Sequence, residues 1–259
     1  MLRFRSLGSG SSGNATLVEA HGPLRTRRVL IDCGFALQQL DRRLARAGLD
    51  ASQIDALFIT HEHSDHLGCA HALASRSGIA AVWMSEGTWR AGGQPDFGKA
   101  LHFARDGVPI DLGEFALHPF TVPHDAREPL QLLCNDGARR LGVLTDLGGA
   151  TAHVLDQIKQ LDALLLEFNH DPQMLADSRY PPFLKRRISG SHGHLSNGAA
   201  AAIAAAANHA GLRHVVAAHL SERNNRPALV RAALAHALGA RATEMLCADA
   251  AEGTSWLQV

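Results

Sequence analysis

The sequence has neither a long apolar run nor a pronounced net charge. No stretch of its 259 residues approaches the roughly 20 consecutive apolar residues that a membrane-spanning helix needs. The opening MLRFRSLGSGSSGN is too short and too polar for the apolar part of a secretion signal. These absences lead us to expect a cytoplasmic protein without a membrane partner.

Charge of either sign is balanced. Lys plus Arg and Asp plus Glu number 25 each, so the formal net charge is zero. No overall field would attract the chain to nucleic acid, and such a partner would need a local basic patch. RTRR at 25–28 and KRR at 185–187 are the candidate runs, although such runs are also typical of a solvated surface.

Cysteine is scarce, and the four cysteines lie far apart in the sequence. The four cysteines form no C-x-x-C motif, which argues against a disulfide framework and against a thiolate zinc finger. We expect reduced, buried thiols at Cys33, Cys69, Cys134 and Cys247.

Strand-like and helix-like patterns alternate along the chain. Helices are predicted at 37–48, 197–211 and 227–239, the first and last closed by glycine. Strands flanked by helices predict a layered α/β fold, and the lack of an internal repeat or a linker favours a single domain over 1–259. The predicted strands are RRVLID, IDALFIT, AAVWM, FALHPFTV, RLGVLTD, DALLLEFN and RHVVAAHL.

The segment GSGSSGN at 8–14 has the composition of an artificial linker. It is flanked by the strand-like LRFRSL and ATLVEA, however, whereas a linker would lie outside the fold. A tight glycine-rich hairpin loop is therefore the favoured interpretation.

Histidine is the residue in excess, with 16 in the chain. Three of them lie in THEHSDH at 60–66, behind an apolar run. On extended chain His61 and His63 project to the same side and can share one metal ion. Asp65 and His66, one turn further on, can reach a second ion. Zinc suits imidazole and carboxylate ligands, with manganese or iron as alternatives, and a bound metal explains the cluster better than surface histidines at a helix end.

THEHSDH resembles the signature of the metallo-β-lactamase-fold hydrolases, whose αββα sandwich of two mixed sheets holds a binuclear metal site. Three further stretches resemble the remaining ligand positions of that family: FTVPHD with His124, GVLTDLG with Asp146, and VVAAHLS with His219. We expect all of these ligands at strand ends. The resemblance implies a first set of His61, His63 and His124, a second set of Asp65, His66 and His219, and a bridging Asp146.

Two divalent ions held roughly 3.5–4 Å apart lower the pKa of a bridging water and neutralise charge on the attacked oxygen, which hydrolyses an ester, an amide or a phosphodiester. Glu167 and His194 help to choose among these. His194 lies in a Gly/Ser-rich loop before the alanine-rich helix, where free N–H groups favour an anion. Paired with Glu167, its imidazole could hold a phosphate oxygen or protonate the leaving oxygen. The plainer alternatives are that Glu167 is a surface acid and that His194 is a solvated loop residue.

Six segments resemble the YycJ/WalJ-like group in the nuclease branch of that superfamily, related to tRNase Z-like and RNase J-like enzymes. They are SLGSGSSGN, THEHSDH, TDLG, EFNHD in place of ESNHD, GHLSN and HLSERNN. The resemblance implies a phosphodiesterase or exonuclease on nucleic acid, DNA favoured, with two divalent ions, zinc favoured. Asp65, Glu167 and His194 are the candidate catalytic residues. The candidate substrate contacts are His194, Ser196, Asn197, Arg223, Asn224 and Asn225.

Two departures argue against processing of large RNA. No long insertion separates Asp146 from His219, and an RNA-binding arm is absent unless residues 86–105 form one. The alternative function is hydrolysis of a carboxylic ester, thioester or lactone at the same metal site, for which only VWMSEGTW suggests an apolar pocket. A metal-bound protein without turnover is the third possibility, disfavoured because a structural site would close all coordination positions.

Overall fold

Fourteen short strands form two seven-stranded sheets in the part of the chain that the structure describes, which is residues 1–23, 25–239 and 245–259 of a computed structural model. The first sheet contains, in spatial order, β14 (Leu257–Gln258), β1 (Leu2–Gly8), β2 (Ala15–His21), β3 (Thr26–Ile31), β4 (Ala56–Phe58), β5 (Ala81–Met84) and β6 (Leu101–Phe103). Its first four strands pair antiparallel, and β3 to β6 pair parallel.

The second sheet mirrors this mixed arrangement. It contains, in spatial order, β13 (Leu246–Cys247), β12 (His214–Ala218), β11 (Ala163–Glu167), β10 (Arg140–Leu144), β9 (Leu130–Asn135), β8 (Ala116–Thr121) and β7 (Ile110–Asp111). The strands β10 to β13 pair parallel, and β7 to β10 pair antiparallel.

Helices cover the outer face of each sheet. They are α1 (Leu37–Arg46), α2 (Ser64–Leu67), α3 (Ala70–Ser77), α4 (Glu86–Ala91), α5 (Ala152–Gln157), α6 (Pro172–Asp177), α7 (Pro182–Ile188), α8 (Asn197–Ala207) and α9 (Pro227–Leu238), with 3₁₀ turns at Ala51–Gln53 and Gly98–Ala100. None of the helices in the described ranges has the length and apolarity needed to cross a membrane.

Three apolar cores separate the four layers. The central one lies between the sheets and includes Phe58 and Leu165, while the outer cores join α1 and α3 to the first sheet and α5, α8 and α9 to the second. Central strands are therefore buried on both faces: Phe58 points into the central core and Leu57 into an outer one. This double burial explains why the strands read as continuous apolar runs without alternation.

The carboxyl ends of the parallel strands position the polar residues. In the second sheet the register pairs Leu144 with Leu166 and Glu167 with Ala218, so the chain leaves β10, β11 and β12 at one edge. In the first sheet Ile31 pairs with Phe58, so the carboxyl ends of β3 and β4 also lie side by side. Polar residues that directly follow these strands are consequently close in space although they are far apart in sequence.

Several local predictions need correction. The alanine-rich helix ends at Ala207 and not at Gly211, because Asn208 already has extended backbone angles. The strand β4 ends at Phe58 and not at Thr60, whose N–H is bonded to the Asp32 carboxylate. Asp65 and His66 lie in the short helix α2, so not every candidate ligand is at a strand end.

Other expectations are met. Residues 9–14 form the hairpin loop between β1 and β2. All four cysteines are free, as expected, but only Cys33 and Cys134 are buried, whereas Cys69 and Cys247 are partly exposed. The run RTRR is not a free basic patch, since Arg27 and Arg28 are paired with Asp55 and Glu19. The range 86–105 contributes the edge strand β6 and is not a separate arm.

Candidate metal centre

Three imidazoles converge where β4 ends and where the chain leaves β8. His61 Nε2 lies 3.0 Å from His63 Nδ1, which in turn lies 3.3 Å from His124 Nε2. His61 and His124 are buried, and His63 is partly exposed. These three nitrogens form one compact group of donor atoms that can hold a metal ion.

A second group lies beside the first. His219 Nε2 is 3.3 Å and His66 Nε2 is 3.6 Å from the same oxygen, Oδ2 of Asp65. Asp146 lies between the two groups, with its Oδ2 2.6 Å from His66 Nε2 and 3.9 Å from His61 Nε2. The structure thus brings together all seven residues that the sequence suggested as ligands.

Polar partners on the outer side fix the direction of four rings. His66 Nδ1 lies 2.8 Å from Asp32 Oδ2, and His124 Nδ1 lies 3.0 Å from the Gly193 carbonyl oxygen. His61 Nδ1 lies 3.0 Å from the Thr60 hydroxyl. Because Nδ1 is engaged in each of these rings, Nε2 is left for the centre, which is the arrangement that second partners give to metal-binding histidines. The fourth ring, that of His219, is held by Glu167.

The hairpin loop supports the same centre. Ser9 Oγ accepts a hydrogen bond from the His219 N–H at 2.8 Å, and Asn14 N–H donates to the Asp65 carbonyl at 2.8 Å. His219 has a φ of 53°, a strained value for a residue other than glycine, and the Ser9 bond helps to hold it. Gly34 packs so closely that an added Cβ would lie 1.7 Å from the Asp65 carbonyl oxygen.

The spacing of the donor atoms is better explained by a bound metal ion than by hydrogen bonds between the donors. Bonds of 2.0–2.1 Å to a tetrahedral zinc place nitrogen ligands roughly 3.3 Å apart, close to the spacing of the three imidazoles. Both carboxylate oxygens of Asp146 are buried without a hydrogen bond of acceptable geometry, although imidazole nitrogens lie within 3.0 Å. Buried carboxylates are rarely left in this state, so a bound cation is the fitting partner.

The electrostatics favour the ligand forms of several groups. Burial and the neighbouring His66 hold the pKa of His61 well below its usual value, and burial also lowers the pKa of His124. Burial alone would raise the pKa of Asp146, but the imidazoles of His219 and His66 outweigh it and hold that pKa well below its usual range. Neutral imidazole and ionised carboxylate are the forms that bind metal, so His61, His124 and Asp146 already have the ligand form. At the other two rings burial is outweighed by the Asp146 carboxylate, which raises the pKa of His66 to about 10 and that of His219 well above its usual value, so a metal ion would displace a proton from each.

Glu167 is a buried carboxylate that joins the centre to its surroundings. Its Oε1 lies 2.6 Å from His194 Nδ1 and 3.1 Å from His219 Nδ1. Its Oε2 accepts the N–H groups of Leu147 and Leu195, both at 3.1 Å. Although burial by itself lowers the pKa of His194, the Glu167 and Asp146 carboxylates raise it to about 10. Glu167 therefore positions two imidazoles at once.

The candidate substrate contacts separate into two kinds. Ser196 caps α8, and Asn197 and Asn225 form a buried pair through both side-chain amides at 2.8 and 2.9 Å. Asn225 also donates to the Phe168 carbonyl, so this pair ties loops together. By contrast, His194, Arg223 and Asn224 line cavities.

A cavity of about 340 Å³ opens over the metal ligands. Besides Asp65, Asp146 and His194 it is lined by Tyr180 and by Leu184 and Arg187 of α7, and Arg187 is paired with Asp125. The sequence reasoning missed Tyr180, Asp32, Ser9 and Asn14 as members of the site. For Asp32 and Asn14 a signal existed, because each is a polar residue beside an apolar strand.

Comparison with known proteins agrees with this geometry. The family model described as the beta-lactamase superfamily domain matches residues 27–220. The exodeoxyribonuclease YycJ of Bacillus anthracis is 32% identical over 242 residues, covering 92% of this chain and 89% of that protein. The exodeoxyribonuclease WalJ of Streptococcus pneumoniae serotype 2 is 31% identical over 230 residues, covering 86% and 83%.

Among solved structures, the metallo-beta-lactamase fold protein YhfI from Bacillus subtilis superposes with a TM-score of 0.74 at 16% identity, covering 100% of both chains. Likeness at this level of identity concerns the fold. It confirms the predicted sandwich of two mixed sheets between helical layers.

Proposed function

This chain belongs to the beta-lactamase superfamily, within the group of the YycJ and WalJ exodeoxyribonucleases, and from that premise we propose that it is a binuclear metal-dependent exonuclease acting on DNA. The observation that carries the proposal is the pair of adjoining donor groups with Asp146 between them, beneath an open cavity. The DNA preference is supported by the names of the two relatives.

The chain's own residues supply a site for two divalent cations. His61, His63 and His124 would hold the first, Asp65, His66 and His219 the second, and Asp146 would contact both. Nitrogen donors dominate, which favours zinc, with manganese or iron as alternatives. When bound, the two ions would polarise the phosphoryl oxygens and activate a water molecule as the nucleophile near neutral pH.

His194 is the residue that we assign to the leaving oxygen. It lines the cavity, and its Nδ1 is held by Glu167 at 2.6 Å, which leaves Nε2 as the ring nitrogen without a carboxylate partner. A proton held at Nε2 can be donated to the departing oxygen of the phosphodiester. Asp65 lines the same cavity, where its carboxylate contributes to the second metal group and faces the substrate side.

Hydrolysis of an ester or thioester is less well supported by the cavity. An acyl chain needs an apolar pocket, and every residue that lines the cavity other than Leu184 and Ile188 carries a polar or charged group. The VWMSEGTW stretch supplies no such pocket: Trp83 packs against the central core, and Trp89 against an outer core.

The test is digestion of end-labelled DNA by the purified protein, with and without a chelator and with zinc or manganese restored. We expect stepwise shortening from an end that the chelator stops and metal restores. We expect Asp146→Asn and Asp65→Asn to be inactive while their circular dichroism matches the parent. If either variant cleaves DNA at the parental rate, the proposal is contradicted. It is also contradicted if the protein hydrolyses a thioester but not DNA.

A further inference from the structure

A second cavity, of about 390 Å³, adjoins the one over the metal ligands. It is lined by residues at 174, 177–180 and 223–224, and Tyr180 lines both cavities. One wall therefore comes from the end of α6 and the turn after it, and the other from the loop that follows His219. A molecule bound at the metal ligands can extend into this second space past the Tyr180 side chain.

Two arginines and one carboxylate line the second cavity, which leaves a net positive charge there. Arg179 and Arg223 line it, and neither side chain donates a hydrogen bond or forms an ion pair with another residue in the described ranges. The carboxylate of Asp177, also in the wall, receives a hydrogen bond from Gln173 at 2.9 Å. By contrast, Arg187 in the first cavity is paired with Asp125. Two such guanidinium groups beside a hydrolytic centre are suited to a phosphate.

An aromatic ring lies next to one of these guanidinium groups. The Arg223 guanidinium carbon is 6.0 Å from the centroid of the Tyr180 ring, and Tyr180 is only partly buried. Phe183, three residues further on, is 66% exposed. Aromatic rings interleaved with arginine are the usual platform for unpaired nucleobases, since every base has a face that can stack. Asn224 adds a polar group, because its buried Oδ1 has no hydrogen-bond partner among the described residues.

We propose that this second cavity receives the nucleotide adjacent to the scissile phosphate, with its base stacked on Tyr180 and its outer phosphate bound by Arg223 and Arg179. The inference rests on the proposed nuclease function and adds a substrate class to it. A base stacks on Tyr180 only after leaving its own helical stack, so the substrate is a single-stranded or frayed DNA end.

The experiment measures binding and cleavage separately. Binding is followed by fluorescence anisotropy with a phosphorothioate oligodeoxynucleotide that resists hydrolysis, and cleavage is followed on the same sequence as single strand and as blunt duplex. Loss of one stacked base corresponds to roughly 5- to 150-fold weaker binding, which we expect for Tyr180→Ala, whereas Tyr180→Phe keeps the ring and binds like the parent. Arg223→Gln should reduce the slope of log Kd against log salt by about 0.7.

The matched control is Arg213→Ala. Arg213 is also exposed and free of ion pairs in the described ranges, but it precedes β12 and lies at the opposite end of that strand from His219. We expect it to bind and cleave like the parent. Tyr180→Ala should cleave both the single strand and the blunt duplex more slowly than Tyr180→Phe does, because a frayed duplex end also has to seat an unstacked base.

Two different failures can be told apart. If the parent cleaves DNA but Tyr180→Ala binds the oligonucleotide as tightly as Tyr180→Phe, or cleaves both forms of DNA as fast as Tyr180→Phe, the second cavity does not seat an unstacked base. If the parent hydrolyses bis(p-nitrophenyl) phosphate but no DNA of either form, it is the nuclease function that is wrong, and the nucleotide site with it.

Discussion

Asp32 offers a sharp test of how the centre is held, because it touches a candidate ligand without belonging to either donor group. Its Oδ2 lies 2.8 Å from His66 Nδ1, and its Oδ1 accepts the Thr60 N–H and hydroxyl at 2.8 and 2.9 Å. The substitution Asp32→Asn keeps the shape and removes the charge. The amide has a single acceptor oxygen, so it cannot accept from both His66 and the Thr60 N–H, and the ring loses the partner that fixes its tautomer.

Loss of such an outer partner typically costs 10- to 100-fold in metal affinity, or about 1.4–2.7 kcal/mol. We expect the dissociation constant for zinc to rise by that factor, measured by competition with a chromogenic chelator of known affinity. Activity at saturating zinc should recover in part, because the first group of donors does not involve Asp32.

Asp55→Asn is the matched control. Asp55 also accepts a backbone N–H, that of Arg28 at 2.7 Å, but at the opposite end of β3 and β4. Its substitution should lower stability without changing zinc affinity. If Asp32→Asn binds zinc as tightly as Asp55→Asn does, the orienting role of Asp32 is refuted.

Three further predictions concern other contacts. Gly34→Ala should lower the rate of DNA cleavage by at least about tenfold, because the new methyl group would displace Asp65. The control is Gly198→Ala, which has open space around it and should raise the free energy of unfolding in urea by up to about 1 kcal/mol. Glu19→Gln should lower the free energy of unfolding at pH 7 by about 1–3 kcal/mol, because it removes the buried carboxylate that pairs with Arg3 and Arg28. Burial would raise the pKa of Glu19, but those arginines lower it. The stabilisation by Glu19 is therefore complete above the usual glutamate pKa and disappears as the pH falls through the lowered value. The difference in free energy of unfolding between parent and variant should narrow below about pH 4. Glu167→Gln should impair cleavage and also zinc binding, since one carboxylate holds both His194 and His219, whereas His194→Gln should impair cleavage alone.

Much of this arrangement was predictable because the strands are buried on both faces. Double burial produces continuous apolar runs, and the polar residues that interrupt them at the carboxyl ends then stand out, as His61, Asp146 and His219 do. The order of these segments along the chain and the identity of their donor residues predicted both the fold and the candidate site.

What the sequence did not reveal depends on tertiary contacts. Asp32 and Asn14 contact residues more than 30 positions away, so their position beside an apolar strand gave no indication of which partner each would contact. Asn197 and Asn225 were expected at a substrate surface, yet the structure pairs them in the interior. Tyr180 gave no periodic signal, since it lies in the short stretch between α6 and α7 and reaches the cavity only through the tertiary fold.

The most direct measurement of the central claim is anomalous diffraction from crystals grown with zinc, recorded above and below the zinc absorption edge. Two anomalous peaks roughly 3.5–4 Å apart should appear, one among His61, His63 and His124 and the other among Asp65, His66 and His219, with Asp146 reaching both. No peak, or one peak with the second group of side chains turned away, would contradict the account.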